Sequence, residues 1–221
     1  MLLLNVPYEE KDEAKSLGAK WNPELKKWYI QNTEDCGKFI KWIWKDYKDY
    51  KDYEELYILK DHLYIAEGIR ICNKCKKATR VIGLGIDKYY QVYDENEDYN
   101  FSAHLCEDDD IEISPITEDL PKQILDYCMN NWNFKKTFSK TIRSSYLANC
   151  CDNCNSLQGN HFLFSEVDSP FVFFDVNKAK NLKLHEIKFK YDIPVRYYEE
   201  VYDSSAPLIR QYSKFDFIFE V

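Results

Sequence analysis

Two short stretches, Cys72-Asn-Lys-Cys75 and Cys151-Asp-Asn-Cys154, decide how the fold of this chain is interpreted. Two residues separate the cysteines of each pair, a spacing at which a tight turn can aim both sulfurs at one ion about 2.3 Å away. Two such pairs complete a tetrahedral shell of four thiolates, which favours Zn²⁺ over harder metals. The sequence therefore predicts one structural zinc ion bound by Cys72, Cys75, Cys151 and Cys154.

The two pairs lie unusually far apart for a zinc ribbon, because 75 residues separate them where a compact ribbon has about 15–20. Each pair follows a predicted strand, at residues 68–71 and 146–149. We therefore interpret residues 76–150 as a large insertion between the two halves of one ribbon. Two unrelated cysteine pairs, or a dithiol redox pair, remain alternatives, although a redox pair is typical of a helix start in a βαβ unit.

The other cysteines have less defined roles. Cys150 adjoins Cys151, but the two-residue spacing selects Cys151 as the ligand. Cys106 lies near His104, where a second metal site is conceivable. Cys36 and Cys128 fall in predicted helices and are expected to be buried thiols.

Composition favours a folded cytoplasmic protein. Of the 221 residues, 45% are hydrophobic, whereas only 6 are Gly and 7 are Pro, which argues against long disordered linkers and a glycine-rich phosphate loop. The start of the chain lacks the features of a signal peptide, and no apolar stretch is long enough to span a membrane. In a reducing compartment, eight cysteines are expected as metal ligands or buried thiols rather than as disulfides.

Charge is distributed unevenly along the chain, whose net charge is −8. Residues 94–110 hold eight carboxylates and no Lys or Arg, and the sequence predicts a loop there. Basic stretches within residues 69–93 and 131–150 each adjoin a cysteine pair. Basic candidates for nucleic-acid binding are Lys74, Lys76, Lys77, Arg80, Lys135, Lys136, Lys140 and Arg143, and the acidic candidates for partner binding are Glu107, Asp108, Asp109 and Asp110.

The N-terminal residues are predicted to form a small β-α-β module. Leu2–Val6 and Lys27–Ile30 are expected as strands, Glu9–Leu17 as a helix, and Gly18 as a left-handed residue that ends it. A second helix is predicted over about 34–47, followed by a threefold Lys-Asp-Tyr repeat, residues 45–53, interpreted as a solvated helical spacer.

From residue 62 onward, β-forming residues dominate the pattern. The predicted fold class is therefore α+β, with an N-terminal module and spacer at 1–60 and a β-rich zinc-ribbon domain at 61–221 that carries the insertion 76–150. One helix is predicted, over Pro121–Trp132. The predicted strands are His62–Ile71, Thr79–Ile86, Tyr89–Tyr93, Arg143–Ala148, His161–Phe164, Phe171–Val176, Leu184–Tyr191 and Phe215–Val221.

The first 30 residues resemble a small bacterial domain of unknown function. The matching residues include the Val6-Pro7-Tyr8 opening, the Lys11-Asp-Glu-Ala-Lys15 helix, the turn Gly18-Ala-Lys-Trp21 and the strand Lys27-Trp-Tyr-Ile30. That domain recurs beside conjugation-type DNA primases, topoisomerase-like proteins and plasmid or phage proteins. The resemblance implies a setting of mobile elements and DNA handling, without an activity.

A second resemblance concerns the cysteines. The stretch from Cys72 to Leu84 is similar to the first half of a split zinc-binding region that often follows this domain, and the stretch from Tyr146 to Asn160 resembles the second half. Relatives tend to have His in place of Cys150 and an acid in place of Asn160. This resemblance implies Cys151 as the matching ligand.

Function is expected to be binding rather than catalysis. The chain has no Walker loop, Gly-x-Ser-x-Gly or His-Glu-x-x-His motif, its four histidines are scattered, and His161, which follows Gln158-Gly-Asn160, is the one worth testing. One hypothesis is a zinc-stabilised nucleic-acid-binding accessory protein. The other is an acidic inhibitor or adaptor that competes with nucleic acid on a nuclease-type partner. Aromatic residues that could stack on bases, or could pack in the core, are Trp132, Phe134, Phe138 and Tyr146.

Overall fold

The protein is an α+β protein, as predicted. The computed structural model describes residues 1–44, 54–95, 100–198 and 206–221, with the backbone alone for residues 54, 55, 108, 109, 197, 198 and 206. The Lys-Asp-Tyr repeat lies outside the described residues. The described strands are β1 Leu2–Leu4, β2 Lys20–Asn22, β3 Lys27–Ile30, β4 Glu54–Leu59, β5 His62–Ile71, β6 Ala78–Asp94, β7 Phe101–Ser114, β8 Phe134–Ser139, β9 Ser144–Asn149, β10 Lys183–Lys188, β11 Ile193–Tyr198 and β12 Lys214–Glu220. The described α-helices are α1 Lys11–Ser16, α2 Ile40–Ile43, α3 Lys122–Asn131, α4 His161–Phe164, α5 Val176–Ala179 and α6 Ala206–Tyr212.

The chain forms two compact units, and each is assembled from three segments. Unit 1 comprises Met1–Asp61, Lys88–Glu107 and Phe189–Glu199, and unit 2 comprises His62–Asp87, Asp108–Lys188 and Glu200–Val221. The division at residue 60 stays a prediction. No helix among the described residues is both long enough and apolar enough to cross a membrane.

Unit 1 begins with a three-stranded antiparallel sheet in the order β1-β3-β2. The predicted first helix is a 3-10 turn, Tyr8–Glu10, that leads into α1. Gly18 then has φ of 106°, the left-handed conformation expected after a helix. The second predicted helix splits into a 3-10 helix, Thr33–Phe39, and α2, which ends at Ile43.

Strand β4 also lies in unit 1, and it pairs antiparallel with β11 on one side and with the end of β6 on the other. The Thr33 hydroxyl donates a hydrogen bond to the buried Asp192 carboxylate, which ties the segment before β11 to the N-terminal module. The unit 1 core is formed by Leu2, Leu4, Ala14, Ile30, Phe39, Trp42, Leu56, Ile58, Tyr90 and Phe101.

Unit 2 is organised around the start of β6, which pairs with β5 in an antiparallel hairpin from Tyr64↔Gly85 to Ile71↔Ala78. Next to β5 comes β10, antiparallel, and then β12, parallel to β10. A separate hairpin is formed by β8 and β9. The main core cluster includes Tyr64, Ala66, Val81, Ile111, Ile113, Leu163, Phe164, Phe171, Phe173, Leu184 and Ile209.

Three sequence predictions are wrong. The acidic stretch is not a loop from residue 101 onward, because β7 pairs with β6 and buries Phe101, Ile111 and Ile113, so pairing overrides the poor strand propensity of the acids. Residues 161–164 form helix α4 instead of a strand. Residues 171–175 form no strand, since Phe171, Val172 and Phe173 are all buried in succession rather than alternately.

The predicted helix at 121–132 is confirmed as α3, and the strands near 62–71, 144–149, 184–188 and 215–220 are confirmed within a few residues. Six further elements among the described residues were not predicted: β2, β4, β8, β11, α5 and α6. Pro194 lies within β11, and a proline argues against a strand unless the strand lies at a sheet edge, as β11 does.

Gly37 tests the packing of unit 1. A Cβ atom at this position would lie 1.8 Å from the carbonyl oxygen of Phe101, so backbone must move to accommodate it. We expect Gly37→Ala to lower the free energy of unfolding by about 3 kcal/mol or more, measured by denaturant titration. The control Gly159→Ala, whose new Cβ would meet nothing nearer than 3.5 Å, should change it by less than about 0.5 kcal/mol. Equal stability of both variants would contradict this packing.

Candidate metal centre

Both cysteine pairs form the same backbone turn. The Cys72 amide donates to the Lys77 carbonyl (2.9 Å), and the Lys76 amide donates to the Cys72 carbonyl (2.9 Å). In the second pair, the Cys151 amide donates to Ser156 and the Asn155 amide donates to Cys151, again at 2.9 Å. We call these turns, residues 72–77 and 151–156, the first and second knuckle.

The residue four positions after the first cysteine of each knuckle is left-handed. Lys76 has φ of 62° and Asn155 has φ of 61°. Asn tolerates this conformation, whereas for Lys it is uncommon, so the two turns match in a feature that their sequences do not share. The first knuckle connects β5 to β6, and the second follows β9. Each therefore lies at the end of a strand, as predicted.

The four predicted sulfurs converge. The Sγ atoms of Cys72 and Cys154 lie 3.7 Å apart, those of Cys75 and Cys151 lie 3.6 Å apart, and all four lie within 4.8 Å of one another. A disulfide needs about 2.0 Å, so these are not disulfides. Metal–thiolate bonds of about 2.3 Å in a tetrahedron place neighbouring sulfurs about 3.8 Å apart. The spacing and the all-sulfur donor set fit a thiophilic metal ion.

Polar side chains surround the sulfurs. Ser156 Oγ lies 3.3 Å from Cys72 Sγ and 3.1 Å from Cys154 Sγ. The buried Gln158 side chain directs Nε2 at Cys72 Sγ (3.6 Å), and the Asn153 amide donates to Cys151 Sγ (3.4 Å). Such donors stabilise thiolates and orient the ligands of a metal.

The thiols differ in acidity. Hydrogen bonding by the Ser156 hydroxyl is the main reason that the pKa of Cys72 falls to about 5. The backbone amide of Lys77 favours the thiolate of Cys75, but burial and the neighbouring sulfurs outweigh it and raise the pKa of Cys75 to about 11. Four thiolates so close together repel one another, so full deprotonation requires a bound cation.

Hydrogen bonds to β6 hold the second knuckle in place. The Asp152 amide donates to Thr79 Oγ1 (2.8 Å), and Asn153 Nδ2 donates to the Ala78 carbonyl (2.9 Å). Buried Asn149 exchanges two hydrogen bonds of 2.8 Å with the backbone of Ile82. Because β6 begins right after the first knuckle, these bonds align the two knuckles independently of a metal.

The remaining cysteines lie outside this cluster. Cys150 is buried, and its sulfur lies 3.4 Å from Thr137 Oγ1 rather than beside the other ligands. Cys36 and Cys128 are buried thiols, as predicted, and burial raises the pKa of each to about 12. Among the described residues, no second metal-binding group of three or more ligands includes Cys106 or His104.

The predicted basic residues fall into two groups. Lys74, Lys76 and Lys77 are exposed on the first knuckle, and Lys140 and Arg143 are exposed where β8 turns into β9. The other three, Arg80, Lys135 and Lys136, each contact a polar or acidic side chain. Arg80 Nε lies 3.6 Å from an Asp152 oxygen, Lys136 Nζ lies 3.0 Å from a Glu118 oxygen, and Lys135 Nζ donates to Asn155 Oδ1 (2.7 Å).

The predicted acidic residues do not form a loop, since Glu107–Asp110 lie within β7. The Glu107 carboxylate lies 3.0 Å from Lys88 Nζ, which Asp61 also contacts at 3.1 Å. Glu107, one of the four acidic residues on which the inhibitor hypothesis depended, is therefore engaged in an ion pair within the protein. Partner binding by this stretch stays a prediction.

The aromatic and histidine candidates differ in how exposed their side chains are. Trp132 and Phe134 are buried and belong to the core, Tyr146 is half-buried, and Phe138 is 59% exposed. His161 is exposed at the start of α4, where its ring contacts Phe162, and it is not part of the sulfur cluster.

Sequence reasoning missed Ser156 and Gln158, which contact the sulfurs. A signal was present, because polar residues follow the second cysteine pair immediately. Their spacing alone does not specify contact with Cys72, which precedes Ser156 by 84 positions.

Cys75→Ser tests whether the cluster binds a structural metal. We expect the variant to lose its bound metal, measured by elemental analysis of the purified protein, and to lose most of the stabilisation that metal binding gives, on the order of 10 kcal/mol for such sites. Cys150→Ser is the matched control and should retain metal. Equal metal content in the two variants would contradict the assignment.

Ser156→Ala tests the surrounding polar residues. Loss of its contacts to two sulfurs should weaken metal affinity about 10- to 100-fold, measured by competition with a chromogenic chelator. Ser145→Ala, at an exposed position of β9, should leave affinity unchanged. An unaltered affinity in both variants would show that the hydroxyl contributes nothing to the site.

Comparisons with known proteins concern the N-terminal residues. Residues 1–43 match the family described as Domain of unknown function (DUF5710). Two proteins of Escherichia coli, both named DNA primase TraC, are 54% and 49% identical to this chain over 39 residues. That stretch is 18% of this chain but 3% and 4% of the two primases, so the chain spans a small fraction of the relatives it matches. No solved structure matches the chain significantly. Residues 1–43 therefore resemble a domain of unknown function, and a stretch of 39 residues of the chain is similar to a small part of two DNA primases.

Proposed function

We propose that the chain is a zinc-stabilised, non-enzymatic nucleic-acid-binding accessory protein of a plasmid, phage or similar mobile element. The observation that carries this proposal is the convergence of four cysteine sulfurs at tetrahedral spacing, with exposed lysines on the knuckle that supplies two of them.

Zinc is the metal that suits this donor set. Four thiolates without a carboxylate or carbonyl ligand favour Zn²⁺ or an iron–sulfur centre over magnesium or calcium, and two closely matched knuckles are typical of structural zinc. A bound zinc ion would cross-link the two knuckles. Four protein ligands leave no open position for water, which supports a structural and not a catalytic role.

Exposed cationic side chains support nucleic acid as the partner. Lys74, Lys76 and Lys77 surround the first knuckle and offset the net charge of −2 that zinc and four thiolates would carry. The turn between β8 and β9 carries Lys140 and Arg143 close in sequence to Phe138 and Ile142, which are 59% and 60% exposed. Phosphates would pair with the cations, and the exposed ring would stack on a base.

The N-terminal match supports the setting. The relatives are named DNA primases, and the shared stretch is a small part of each, so a primase activity is not transferred to this chain. We infer that the N-terminal module is an accessory module shared with other proteins that handle DNA.

The salt dependence of binding tests this proposal. A variant with Lys74, Lys77, Lys140 and Arg143 all changed to Gln should bind DNA more weakly, and the slope of log K against log salt should fall in magnitude by about 3, since each phosphate contact contributes about 0.7–0.9. Binding is measured by gel shift across a salt series.

The matched control replaces four exposed lysines of the same unit by Gln, namely Lys122, Lys180, Lys188 and Lys214. In this control variant, the slope of log K against log salt should differ from that of the unmodified protein by less than about 0.9, the contribution of one phosphate contact. If the unmodified protein binds neither duplex nor single-stranded nucleic acid at low salt, where phosphate contacts are strongest, the proposed function is wrong.

A further inference from the structure

A groove in unit 1, separate from the metal centre, carries a second inference. It has a volume of about 640 Å³. We define the aromatic groove by Tyr8, Trp21 and Trp28 and by the lysines Lys11, Lys26 and Lys27, all of which line it. We propose that this groove binds single-stranded nucleic acid, with unpaired bases on the aromatic rings and phosphates on the lysines. The proposal rests on the proposed function for its class of ligand, but it assigns a different site.

The groove exists because one face of the N-terminal sheet is only partly covered. In the register of that sheet, Leu4 lies opposite Trp28, and Trp28 lies opposite Trp21. These three side chains therefore share a face. Leu4 is buried at 1% exposure, whereas Trp21, on the edge strand β2, is 49% exposed. The apolar row thus continues from the core to an open edge.

Large aromatic surfaces remain accessible along this groove. Trp21 and Trp28 contact edge to face, with ring centroids 5.7 Å apart and planes at 62°, so the two rings are not stacked face to face. Tyr8 is 76% exposed at the start of the 3-10 turn. Exposed aromatic rings of this size cost free energy in water, and a patch of them marks an interaction surface.

The charges at the groove favour an anionic ligand. Its lining residues include three lysines and no carboxylate. Lys11 Nζ lies 3.8 Å from the centre of the Tyr8 ring, and Lys27 Nζ donates to Asn5 Oδ1 (2.8 Å). Glu10, which precedes Lys11, accepts from Trp42 Nε1 and is not among the lining residues. The local surface is basic although the whole chain has a net charge of −8.

Rings combined with cations select unpaired nucleotides over other anions. Base stacking on aromatic side chains is tolerant of sequence, and a basic groove follows the phosphate backbone. A duplex buries its base faces in its own stack, so it cannot use Trp21 or Tyr8 in this way. An acidic or apolar peptide is the competing occupant.

Fluorescence anisotropy with the full chain tests the inference, using labelled oligothymidylate and oligouridylate of about 12 nucleotides, within the span of small single-strand-binding domains. Trp21→Ala and Tyr8→Ala should each weaken binding about 5- to 150-fold, the range for loss of one stacked base. Trp21→Phe should restore most of the affinity. Lys26→Gln should reduce the salt slope by about 0.7. The two oligomers show whether DNA or RNA is preferred.

Matched controls are Tyr93→Ala, an exposed aromatic of unit 1 outside the groove, and Lys15→Gln, an exposed lysine of α1. Neither should change affinity, and thermal unfolding must show that all variants remain folded. Unchanged affinity in Trp21→Ala and Tyr8→Ala would overturn the groove assignment, as would binding of a peptide library without binding of either oligomer.

The two proposals fail in different ways. If the chain binds nucleic acid and only the variant of Lys74, Lys77, Lys140 and Arg143 loses it, the groove is wrong and the proposed function stands. If the groove variants lose binding and the metal-side variant does not, the groove is supported as the site. If no nucleic acid binds, both proposals are wrong.

Discussion

The convergence of four cysteine sulfurs is the constraint on which the organisation of unit 2 depends. Cys75 and Cys151 are 76 positions apart, and their sulfurs lie 3.6 Å from each other. Closing so long a loop costs entropy that grows only slowly with its length, and a structural metal site typically supplies more than that cost. The converging sulfurs bring the start of β6 and the end of β9 together, and the residues between them form the closed loop.

Hydrogen bonds between β6 and the second knuckle support this closure without a metal ion. Asn149 of β9 forms hydrogen bonds with Ile82 of β6. Asp152 and Asn153 of the second knuckle donate to Thr79 and Ala78 of the same strand. The backbone amides inside each knuckle and the Ser156 hydroxyl then direct donors at sulfur. The two turns differ in sequence but share one pattern of backbone hydrogen bonds and a left-handed residue, Lys76 in the first knuckle and Asn155 in the second.

The basic side chains of this acidic protein differ in whether they pair with carboxylates. Arg80 and Lys136 meet the carboxylates of Asp152 and Glu118, so part of the basic character around the metal centre has a structural use. Lys74, Lys76 and Lys77 of the first knuckle and Lys26 and Lys27 of the aromatic groove are exposed. The local charge of these two surfaces is therefore positive although the whole chain has a net charge of −8.

The sequence by itself determined the α+β class, the N-terminal module, helix α3 and the four converging cysteines, because each depends on local spacing: two residues within a knuckle, a helical repeat of apolar residues, a glycine after a helix. Only the tertiary structure decided that residues 101–110 form a strand, since pairing with β6 outweighs the preference for a loop of the six polar or charged residues in that stretch. It also decided that Trp132 is core while Trp21 is exposed, and that Ser156 meets Cys72. Those outcomes depend on which segments become neighbours in space, and contacts between residues 84 positions apart have no periodicity that a single sequence can display.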